Sequence, residues 1–368
     1  MTDERIRVGY LADAIGGGGG IGRYTRELLV LLAHRADVEL VVVAPHDELL
    51  RVERLALPNL VDVIRAGGHG QVGRATWERH RLGSLLAGRE VQVVHGTKHL
   101  LPRTALPTVL TVYDVMPLSS PEQFAFAKRL LLPRQYLRSL REATVLLAIS
   151  QTTRARLLRI DPSLAARTRV APLGFASELR DVPSAPLPGS IAHGAFALVV
   201  GDLAPRKNVG MLLDIWDHVH RATGLELVIV GPEGWRSAAT RRRLEGFATR
   251  GVARWYGRVP DDQLRWAYEH AAMVLFPSHE EGYGLPIIEA LEFGVPVIAS
   301  DDDALVEIAD GRAIHLAPGD SDAWQVAVVT MAKARERSQP PRKSRSSWTQ
   351  TVDDTVVAYR DAIARTRR

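Results

Sequence analysis

The chain has 368 residues, a net charge of +5 and no cysteine, and 46% of its residues are hydrophobic. This length is enough for two domains that each bury a core of their own. The lack of cysteine excludes disulfides, iron–sulfur clusters and zinc–thiolate sites. No apolar run is long enough to span a bilayer, and the first ten residues lack the apolar core of a signal peptide, so we expect a cytoplasmic protein.

The positive charge is concentrated in the first half of the chain. Residues 1–175 carry a net charge of about +8, and the remaining residues carry about −3. Such a basic half is typical of proteins that bind an anionic partner, for example a phosphate-bearing substrate or a membrane surface. A solvated, arginine-rich surface without any partner is the alternative, and we expect no nucleic acid among the partners.

A buried strand, a glycine-rich turn and an amphipathic helix open the chain. The strand is predicted at residues 6–12, the turn at 16–22 and the helix at 23–34, and a second buried strand follows at 38–44. Further strands are predicted at 61–64, 91–95, 108–113, 144–149 and 169–173. Strands that alternate with helices predict a parallel sheet that is covered on both faces.

The second half repeats this organisation after residues 181–190, which are rich in proline and small residues and predict a linker. Strands are then predicted at 196–200, 225–230, 253–256, 273–276, 295–299 and 313–316. We therefore predict an α/β protein with two doubly wound, Rossmann-like domains that face a cleft. The predicted ranges are 1–178 for the N-terminal domain, 179–194 for the linker, 195–340 for the C-terminal domain, and 341–368 for a segment whose helix, at 347–365, crosses back toward the N-terminal domain. The basic stretch 335–345 is predicted to be a loop.

Gly17, Gly19 and Gly22 follow the first strand with the G-x-G-x-x-G spacing of a dinucleotide-binding loop. Such loops are paired with an acidic residue at the end of the second strand, whereas here that strand ends in Ala44 and Pro45. The spacing therefore favours a flexible loop whose backbone approaches a phosphate or a sugar, rather than the loop of a dehydrogenase. A solvent-exposed turn without a ligand is the alternative.

Arg206 and Lys207 lie in the loop after the predicted strand 196–200. A planar arginine fork and a lysine point charge at the C-terminal end of a strand are suited to holding a diphosphate. Two ordinary surface residues are the alternative interpretation.

The stretch 276–290 contains the end of a strand, a turn with Gly282 and Gly284, and a helix whose first position is predicted at Pro286. A glycine-rich turn at a helix N-terminus is suited to phosphate, because backbone N–H groups and the helix dipole converge there. Glu281 lies in the turn and Glu289 lies about one turn inside the helix. The two carboxylates are therefore placed to bracket a bound ligand from separate points.

Two other segments each allow two interpretations. The run 301–303 contains three aspartates, which would suit a divalent metal but more simply cap a helix predicted at 304–309. Residues 124–141 alternate apolar and basic side chains, which is typical either of a helix on an anionic membrane or of a helix packed on its own sheet. Pro133 is predicted to interrupt this helix. No Ser/His/acid spacing or metal-binding histidine spacing stands out.

Together these motifs resemble the retaining, nucleotide-sugar-dependent glycosyltransferases of the GT-B fold, in glycosyltransferase family 4 (glycosyl transferases group 1). The resemblance extends over about residues 7–359. Glu281 and Glu289, with seven residues between them, match the Glu-x7-Glu motif of that family. The other matching segments are Pro-Arg-Lys-Asn at 205–208, Gly-Ile-Gly-Arg-Tyr at 20–24, Gly-Arg-Val at 257–259 and Pro-Val-Ile-Ala-Ser at 296–300.

The resemblance implies a role for each matching residue. Arg206 and Lys207 would hold the donor diphosphate, Glu281 would contact the hydroxyls of the donor sugar near the reacting carbon, and Glu289 would bind the ribose hydroxyls. The other implied donor-binding residues are Gly20, Gly22, Val259 through its backbone, Gly282, Tyr283, Gly284 and Leu285. On the acceptor side it implies Tyr113 and Asp114, where many relatives have His-Asp, and Asp202 stands where relatives often have Arg or Thr.

We therefore expect a retaining hexosyltransferase that moves a sugar, for instance of mannose or glucose type, from UDP or GDP to a saccharide, lipid-linked or natural-product acceptor. The resemblance implies front-side attack within an ion pair, with no cofactor and no metal. Peripheral contact with the inner face of a membrane is a further expectation. A nucleotide-sugar epimerase and a non-catalytic nucleotide- or glycan-binding protein are the alternatives.

Overall fold

The computed structural model describes residues 5–17, 19–68, 77, 81–123, 126–174, 178–189, 192–334 and 347–367. The chain divides into two compact units, of which unit 1 comprises Met1–Gly174 with Ser346–Arg368 and unit 2 comprises Phe175–Arg345. Each unit is a parallel sheet covered by helices, so the predicted α/β fold class is confirmed. Among the described residues, no helix is both long and apolar enough to cross a bilayer.

In the described part of unit 1, the sheet has seven parallel strands in the order β3-β2-β1-β4-β5-β6-β7. The strands are β1 (Ile6–Leu11), β2 (Val38–Ala44), β3 (Leu60–Arg65), β4 (Val93–Gly96), β5 (Thr108–Val112), β6 (Val145–Ala148) and β7 (Thr168–Val170). The central strands are buried along almost their whole length, because helices cover both faces of a parallel sheet. The strand order reverses between β1 and β4, which places the loops after these strands at a topological switch point.

The helices of unit 1 lie on both faces of this sheet and include the last helix of the chain. They are Gly20–Ala33, Leu49–Arg54, Gly83–Ala87, Met116–Ser119, Phe126–Glu142, Gln151–Ile160 and Trp348–Thr366, with 3-10 turns at His46–Glu48, Pro121–Gln123 and Pro162–Arg167. The first helix begins at Gly20, three residues before the predicted start. Its first turn is closed by the amide of Arg23, which donates to the carbonyl of Gly19 at 3.1 Å.

The predicted interruption at Pro133 is wrong, because the helix Phe126–Glu142 continues through that residue. Proline removes one backbone donor from a helix, but packing of the following turns holds the helix together. Tyr136, Ser139 and Leu140 are fully buried. The Tyr136 hydroxyl also donates to a backbone carbonyl at 2.8 Å. Phe124, the first residue of the predicted segment, lies outside the described residues.

The last helix, Trp348–Thr366, is fastened to the sheet of unit 1 by a buried polar chain. The Tyr359 hydroxyl lies 2.7 Å from His95 Nδ1 on β4. The other ring nitrogen of His95 lies 2.8 Å from Thr111 Oγ1 on β5. Because all three side chains are fully buried, their hydrogen bonds replace those that water would make in the unfolded chain.

In unit 2, the described residues form a sheet of six parallel strands in the order β10-β9-β8-β11-β12-β13. The strands are β8 (Phe196–Val200), β9 (Glu226–Val230), β10 (Ala253–Trp255), β11 (Met273–Phe276), β12 (Val297–Ser300) and β13 (Ile314–Leu316). The helices are Glu178–Asp181, Val209–Thr223, Ala238–Ala248, Asp261–His270, Leu285–Glu292, Asp303–Ala309 and Ser321–Ala334, with a 3-10 turn at Pro205–Lys207. The order reverses between β8 and β11, so the loops after these two strands meet at a topological switch point.

Two apolar clusters fill the two faces of the unit 2 sheet. One contains the buried indoles of Trp216 and Trp324. The other contains Tyr268 and Phe276. Burial of rings of this size dominates the stability of a core, and it fixes the strand ends that carry the loops described below.

The proline-rich stretch belongs to unit 2, and its described residues 181–189 pack with the preceding short helix Glu178–Asp181 onto the core of that unit. Leu179 and Leu187 are buried in the same cluster as Tyr268. The Tyr256 hydroxyl donates to the carbonyl of Pro188 at 2.9 Å. Positions 190 and 191 of the predicted linker and the predicted loop at 335–345 lie outside the described residues.

Candidate functional site

The loop after β8 brings Arg206 and Lys207 to the switch point of unit 2. The end of β8 packs tightly against the end of β9, because a Cβ atom at Gly231 would lie 1.9 Å from the carbonyl oxygen of Gly201. The loop then forms the 3-10 turn Pro205–Lys207, which Asn208 ends in a left-handed conformation with φ of 54°. Asn208 Nδ2 donates to the carbonyl of Pro318 at 2.8 Å, which ties this loop to the loop after β13.

Lys207 is buried against the loop that follows β11. Its Nζ donates to Glu281 Oε1 at 2.6 Å. The same nitrogen lies 4.6 Å from the ring centroid of Phe276, the last residue of β11. A cation over an aromatic face at this distance is attracted to the ring. The fold therefore brings together Lys207 and Glu281, two of the residues to which the resemblance gives a role toward the donor.

Arg206 joins the same carboxylate from a second direction. Its Nη1 donates to Glu281 Oε1 at 3.0 Å, and its Nη2 lies 3.5 Å from Asp202 Oδ2. Asp202, at the position where relatives often have Arg or Thr, is therefore an ion-pair partner of Arg206. Two cations and two carboxylates form this cluster, which we call the charged cluster.

Burial and charge act in opposite directions on the charged cluster. Burial alone would raise the pKa of Glu281, but the charges of Lys207 and Arg206 outweigh it and lower that pKa. Burial lowers the pKa of Lys207, and the attraction of Glu281 opposes this effect. The positions of the two cations are therefore fixed by their contacts with Glu281 and Asp202.

Two hydrogen bonds hold the loop that carries Glu281. The amide of His279 donates to the carbonyl of Arg206 at 2.8 Å, and Ser300 Oγ donates to the carbonyl of Ser278 at 2.5 Å. Gly284 ends the loop with φ of 100°, a conformation that side chains other than glycine rarely adopt. The loop is thus tied both to the 3-10 turn and to the end of β12.

The helix after this loop begins at Leu285, one residue before the predicted start, and Pro286 takes its second position. The first N–H groups of a helix have no partner within it and can bind an anion. Here, however, Pro286 has no N–H, and the amide of Ile287 donates to the carbonyl of Gly284 at 2.9 Å. Gly282 is half-buried and the side chain of Tyr283 is buried. Contact of a ligand with the backbone of Gly282, Tyr283 or Leu285 remains a prediction.

Glu289 lies on the buried face of the same helix. Only 3% of its surface is exposed. Its Oε2 accepts a hydrogen bond from the Tyr268 hydroxyl at 2.6 Å. Burying a carboxylate is costly unless it is hydrogen-bonded, and Tyr268 supplies one such bond.

Gly257 to Val259 form the loop after β10. The amide of Gly231 donates to the carbonyl of Gly257 at 2.7 Å, and Trp255 Nε1 donates to the carbonyl of Gly231 at 2.9 Å. Val259 is half-buried and packs against the cluster that contains Tyr268. Hydrogen bonds and backbone packing therefore connect the loop after β9 to the loop after β8 on one side and to the loop after β10 on the other.

The glycines in the loop after β1 differ in how much space each has for a side chain. A Cβ atom at Gly22 would lie 1.8 Å from the carbonyl oxygen of Gly17, whereas a Cβ atom at Gly19 would meet nothing within 4 Å. Gly20 is the first residue of the helix and is exposed. The spacing that resembles a dinucleotide loop is thus imposed in part by backbone packing between Gly17 and Gly22.

Tyr113 and Asp114 directly follow β5 in unit 1. The Tyr113 side chain is buried, its hydroxyl donates to the carbonyl of Thr97 at 2.9 Å, and its ring meets Tyr24 edge to face at 5.2 Å. Burial raises the pKa of the Tyr113 phenol well above its ordinary value. Asp114 Oδ1 accepts from the amide of Met116 at 2.9 Å. Both side chains thus hold the structure of unit 1, and their contact with an acceptor remains a prediction.

In the aspartate run, Asp302 caps a helix: its Oδ1 accepts from the amide of Ala304 at 2.9 Å, and the helix Asp303–Ala309 follows. Across the described parts of the chain, no group of three or more acidic or histidine side chains is placed to hold a metal ion.

In the basic segment, residues 124–141, Leu131 is 60% exposed and Arg134 is exposed, while Tyr136 is buried. Membrane contact by this helix remains a prediction.

The sequence patterns missed Tyr268, and they included Ser300 only as the last residue of the matched segment 296–300, without a role. Tyr268 belongs to the buried stripe of the helix Asp261–His270, where an aromatic side chain looks like an ordinary core residue. Ser300 is the last residue of β12, and a polar side chain at the C-terminal end of a parallel strand was the available indication.

Two family models match the chain, and both describe glycosyltransferases. The model described as Glycosyltransferase Family 4 matches residues 18–179, and the model described as Glycosyl transferases group 1 matches residues 195–334. Together with the two parallel-sheet units, these matches define the class as that of the GT-B glycosyltransferases. Within this class, the chain belongs to glycosyltransferase family 4, as its motifs predicted.

The chain is also similar, at modest sequence identity, to individual proteins in sequence and to solved structures in fold. O-antigen chain mannosyltransferase B of Escherichia coli is 28% identical over 286 residues, which are 73% of this chain and 74% of that protein. The structure of sucrose-phosphate synthase from Thermosynechococcus elongatus has a TM-score of 0.67 at 20% identity and covers 98% of this chain and 100% of its own. Anabaena HepE in complex with UDP and glucose has a TM-score of 0.63 at 15% identity and covers 98% of this chain and 97% of its own.

Proposed function

We propose that this protein is a retaining glycosyltransferase that moves a sugar from UDP or GDP to a saccharide, lipid-linked or natural-product acceptor. The observation that carries the proposal is the contact of Lys207 and Arg206 with Glu281 at the switch point of unit 2, at 2.6 and 3.0 Å. Similarity to the Escherichia coli mannosyltransferase favours a mannose-type sugar. Similarity in fold to HepE, whose structure contains UDP and glucose, favours a nucleoside diphosphate donor.

In the proposed complex, Arg206 and Lys207 hold the donor diphosphate. The bond between the anomeric carbon and the β-phosphate oxygen breaks, and its electron pair leaves with the phosphate. Fixed cations stabilise this departing charge without having to reorganise during the reaction. Asp202, 3.5 Å from Arg206, orients the guanidinium and moderates the positive charge at the phosphate.

Glu281 acts in this proposal as a hydrogen-bond acceptor for donor sugar hydroxyls, not as a nucleophile. A double displacement would need a carboxylate that attacks the anomeric carbon. The ion pairs of Glu281 lower its pKa, and a carboxylate of lower basicity is a weaker nucleophile. We therefore favour front-side attack, in which the acceptor oxygen bonds to the anomeric carbon on the face that the phosphate leaves. The acceptor proton passes to the leaving phosphate oxygen, and the configuration at the carbon is retained.

The remaining donor contacts follow from the same arrangement. Glu289 accepts hydrogen bonds from the ribose hydroxyls, and the backbone of Val259 meets the base. The amides of Tyr283 and Leu285 lie at the start of the helix Leu285–Glu292, where they donate to the sugar or the phosphate. Metal ions have no part in this proposal.

Binding of the donor is tested without knowledge of the acceptor. A ligand that binds only the folded state raises its Tm by mass action, so UDP, GDP and their sugars are screened by thermal shift. We expect one nucleotide and its sugars to raise the Tm of wild type and of Lys333→Ala, an exposed lysine on the helix Ser321–Ala334. We expect no such shift for Lys207→Met combined with Glu281→Gln, which removes both charges of the buried pair so that neither is left unpaired. A wild-type protein that responds to neither nucleotide would overturn the proposal.

Turnover separates the transferase from its alternatives. The donor that binds is incubated alone and with a panel of acceptors, and the products are identified by NMR. A transferase gives a glycosylated acceptor with retained anomeric configuration, and Glu289→Ala abolishes this product. An epimerase converts the donor without any acceptor, and a binding protein gives no product although calorimetry detects the nucleotide.

A further inference from the structure

We infer that Tyr268 is a positioning residue for Glu289 and thereby sets the preference of the donor site for ribose over 2′-deoxyribose. The inference rests on the proposed function, which assigns the ribose hydroxyls to Glu289. Its starting point is the 2.6 Å hydrogen bond that the Tyr268 hydroxyl donates to Glu289 Oε2. Tyr268 is fully buried, so this bond is shielded from competition by water.

A glutamate side chain needs such a contact to act as a selective acceptor. The last torsion of glutamate is broad, so an unrestrained carboxylate rotates over many orientations. A donor at 2.6 Å fixes the orientation of the Glu289 carboxylate plane. Each carboxylate oxygen has about two acceptor sites, so a glutamate carboxylate is able to accept from a tyrosine hydroxyl and from further donors together.

The Tyr268 ring is itself held in place by the helix that carries Glu289. The ring stacks on Phe293 with a centroid distance of 5.7 Å and an interplanar angle of 7°. Phe293 directly follows that helix, and its amide donates to the carbonyl of Glu289 at 3.1 Å, so the two residues lie one turn apart. The Tyr268 side chain is therefore held at its ring face by Phe293 and at its hydroxyl by Glu289.

The helix that carries Tyr268 also links two parts of the proposed donor site. The helix Asp261–His270 begins two residues after Val259, whose backbone is proposed to meet the base. Tyr268 lies seven residues along this helix, which corresponds to about 10 Å of axial rise. A single rigid helix therefore sets the spacing between the base contact and the carboxylate that binds the ribose.

The test compares a nucleotide with its 2′-deoxy form in the wild type and in Tyr268→Phe. Calorimetry gives the Kd values of UDP and 2′-deoxy-UDP, or of GDP and 2′-deoxy-GDP, whichever base the wild type binds. We expect the wild type to prefer the ribonucleotide, and we expect this preference to fall about tenfold in Tyr268→Phe, the size expected for loss of a hydrogen bond to a charged group. A residue that only stabilises the fold would leave the ratio unchanged.

Tyr359→Phe is the matched control, because it removes another buried tyrosine hydroxyl, in unit 1 and 2.7 Å from His95. We expect it to lower the Tm without changing the ratio of the two Kd values. A wild type that binds neither nucleotide contradicts the proposed function itself. A wild type that binds both forms equally overturns the Glu289 assignment and this inference together. A wild-type preference that persists in Tyr268→Phe overturns this inference alone.

Discussion

The ammonium of Lys207 lies 2.6 Å from the carboxylate of Glu281 in unit 2, although 74 residues separate them in the chain. Neither residue is more than 9% exposed. Both charges have therefore lost most of their hydration, and their mutual attraction offsets that cost only while both are present. The pair serves stability as well as the proposed chemistry, and suitable variants separate these two contributions.

Removing one member of this pair is expected to destabilise unit 2 strongly. Lys207→Met leaves Glu281 buried with a single cation, Arg206, and we expect a loss of about 2–3 kcal/mol in the free energy of unfolding, the size of a hydrogen bond to a charged group. Lys207→Met combined with Glu281→Gln removes both charges, and we expect it to recover most of that loss. Urea unfolding measures both quantities.

The same variants separate stability from function. We expect the double variant to be folded and yet unable to transfer sugar, because it lacks the charges proposed to act on the diphosphate and the donor sugar. Near-normal transfer by the double variant would contradict the assigned roles. Wild-type stability of Lys207→Met would contradict the burial argument.

The two glycines of the unit 1 loop are expected to respond differently to alanine. Gly22→Ala places a Cβ atom 1.8 Å from the carbonyl oxygen of Gly17, so the backbone must shift and the Tm is expected to fall. In Gly19→Ala, the new Cβ atom would have no neighbour within 4 Å, and the backbone φ of −108° suits alanine. We expect this substitution to change the free energy of unfolding by less than about 1 kcal/mol. Equal Tm values for the two variants would refute this packing.

A similar pair tests the turn before the helix Leu285–Glu292. Gly284 has φ of 100°, and a Cβ atom there would lie 2.6 Å from Leu305 Cδ2, so Gly284→Ala is expected to lower the Tm. Gly246 lies in the helix Ala238–Ala248 with open space around it, and Gly246→Ala is expected to stabilise by about 0.5–1 kcal/mol. Thermal unfolding monitored by circular dichroism compares the two directly, and a Gly284→Ala variant as stable as the wild type would contradict the strain at this turn.

Acid is expected to destabilise unit 1 through His95. Burial lowers the pKa of His95 from 6.5 to about 3. Because the folded-state pKa lies below the unfolded value, the unfolded chain binds the extra proton first, and stability falls as the pH drops below about 6.5. At pH 5 this linkage amounts to about 2 kcal/mol.

The measurement is the free energy of unfolding from urea titrations between pH 7.5 and about pH 4.5. Carboxylates also titrate in part of this range, so wild type is compared with His95→Asn, which cannot take up that proton. We expect the stability difference between the two proteins to shrink as the pH falls from 6.5. A constant difference across the whole range would argue against a depressed pKa.

Much of the fold could be predicted because its causes are local. Alternating apolar runs and helical patterns located most strands, and glycine and proline marked the turns. The interruption predicted at Pro133 failed because tertiary packing of Tyr136 and Leu140 outweighs the loss of one backbone donor. Such packing is not encoded in the neighbouring residues.

The candidate site could be predicted only in part for the same reason. Its motifs identified Arg206, Lys207, Glu281 and Glu289, but the contact of Lys207 with Glu281 depends on the order of β8 and β11 in the sheet. The orientation of Tyr113 toward Thr97 depends on three-dimensional packing that no local pattern contains. The support of Glu289 by Tyr268 is likewise a contact between two helices.

The most direct test of the central claim is the calorimetric Kd of UDP and GDP for wild type and for the Lys207→Met, Glu281→Gln double variant. The double variant is used because we expect it to remain folded, so that a lost signal reports on the charges and not on unfolding. We predict that the wild type binds one of the two nucleotides and that the double variant binds it at least about tenfold more weakly. Equal affinity in the two proteins would contradict the claim that the charged cluster holds the donor diphosphate.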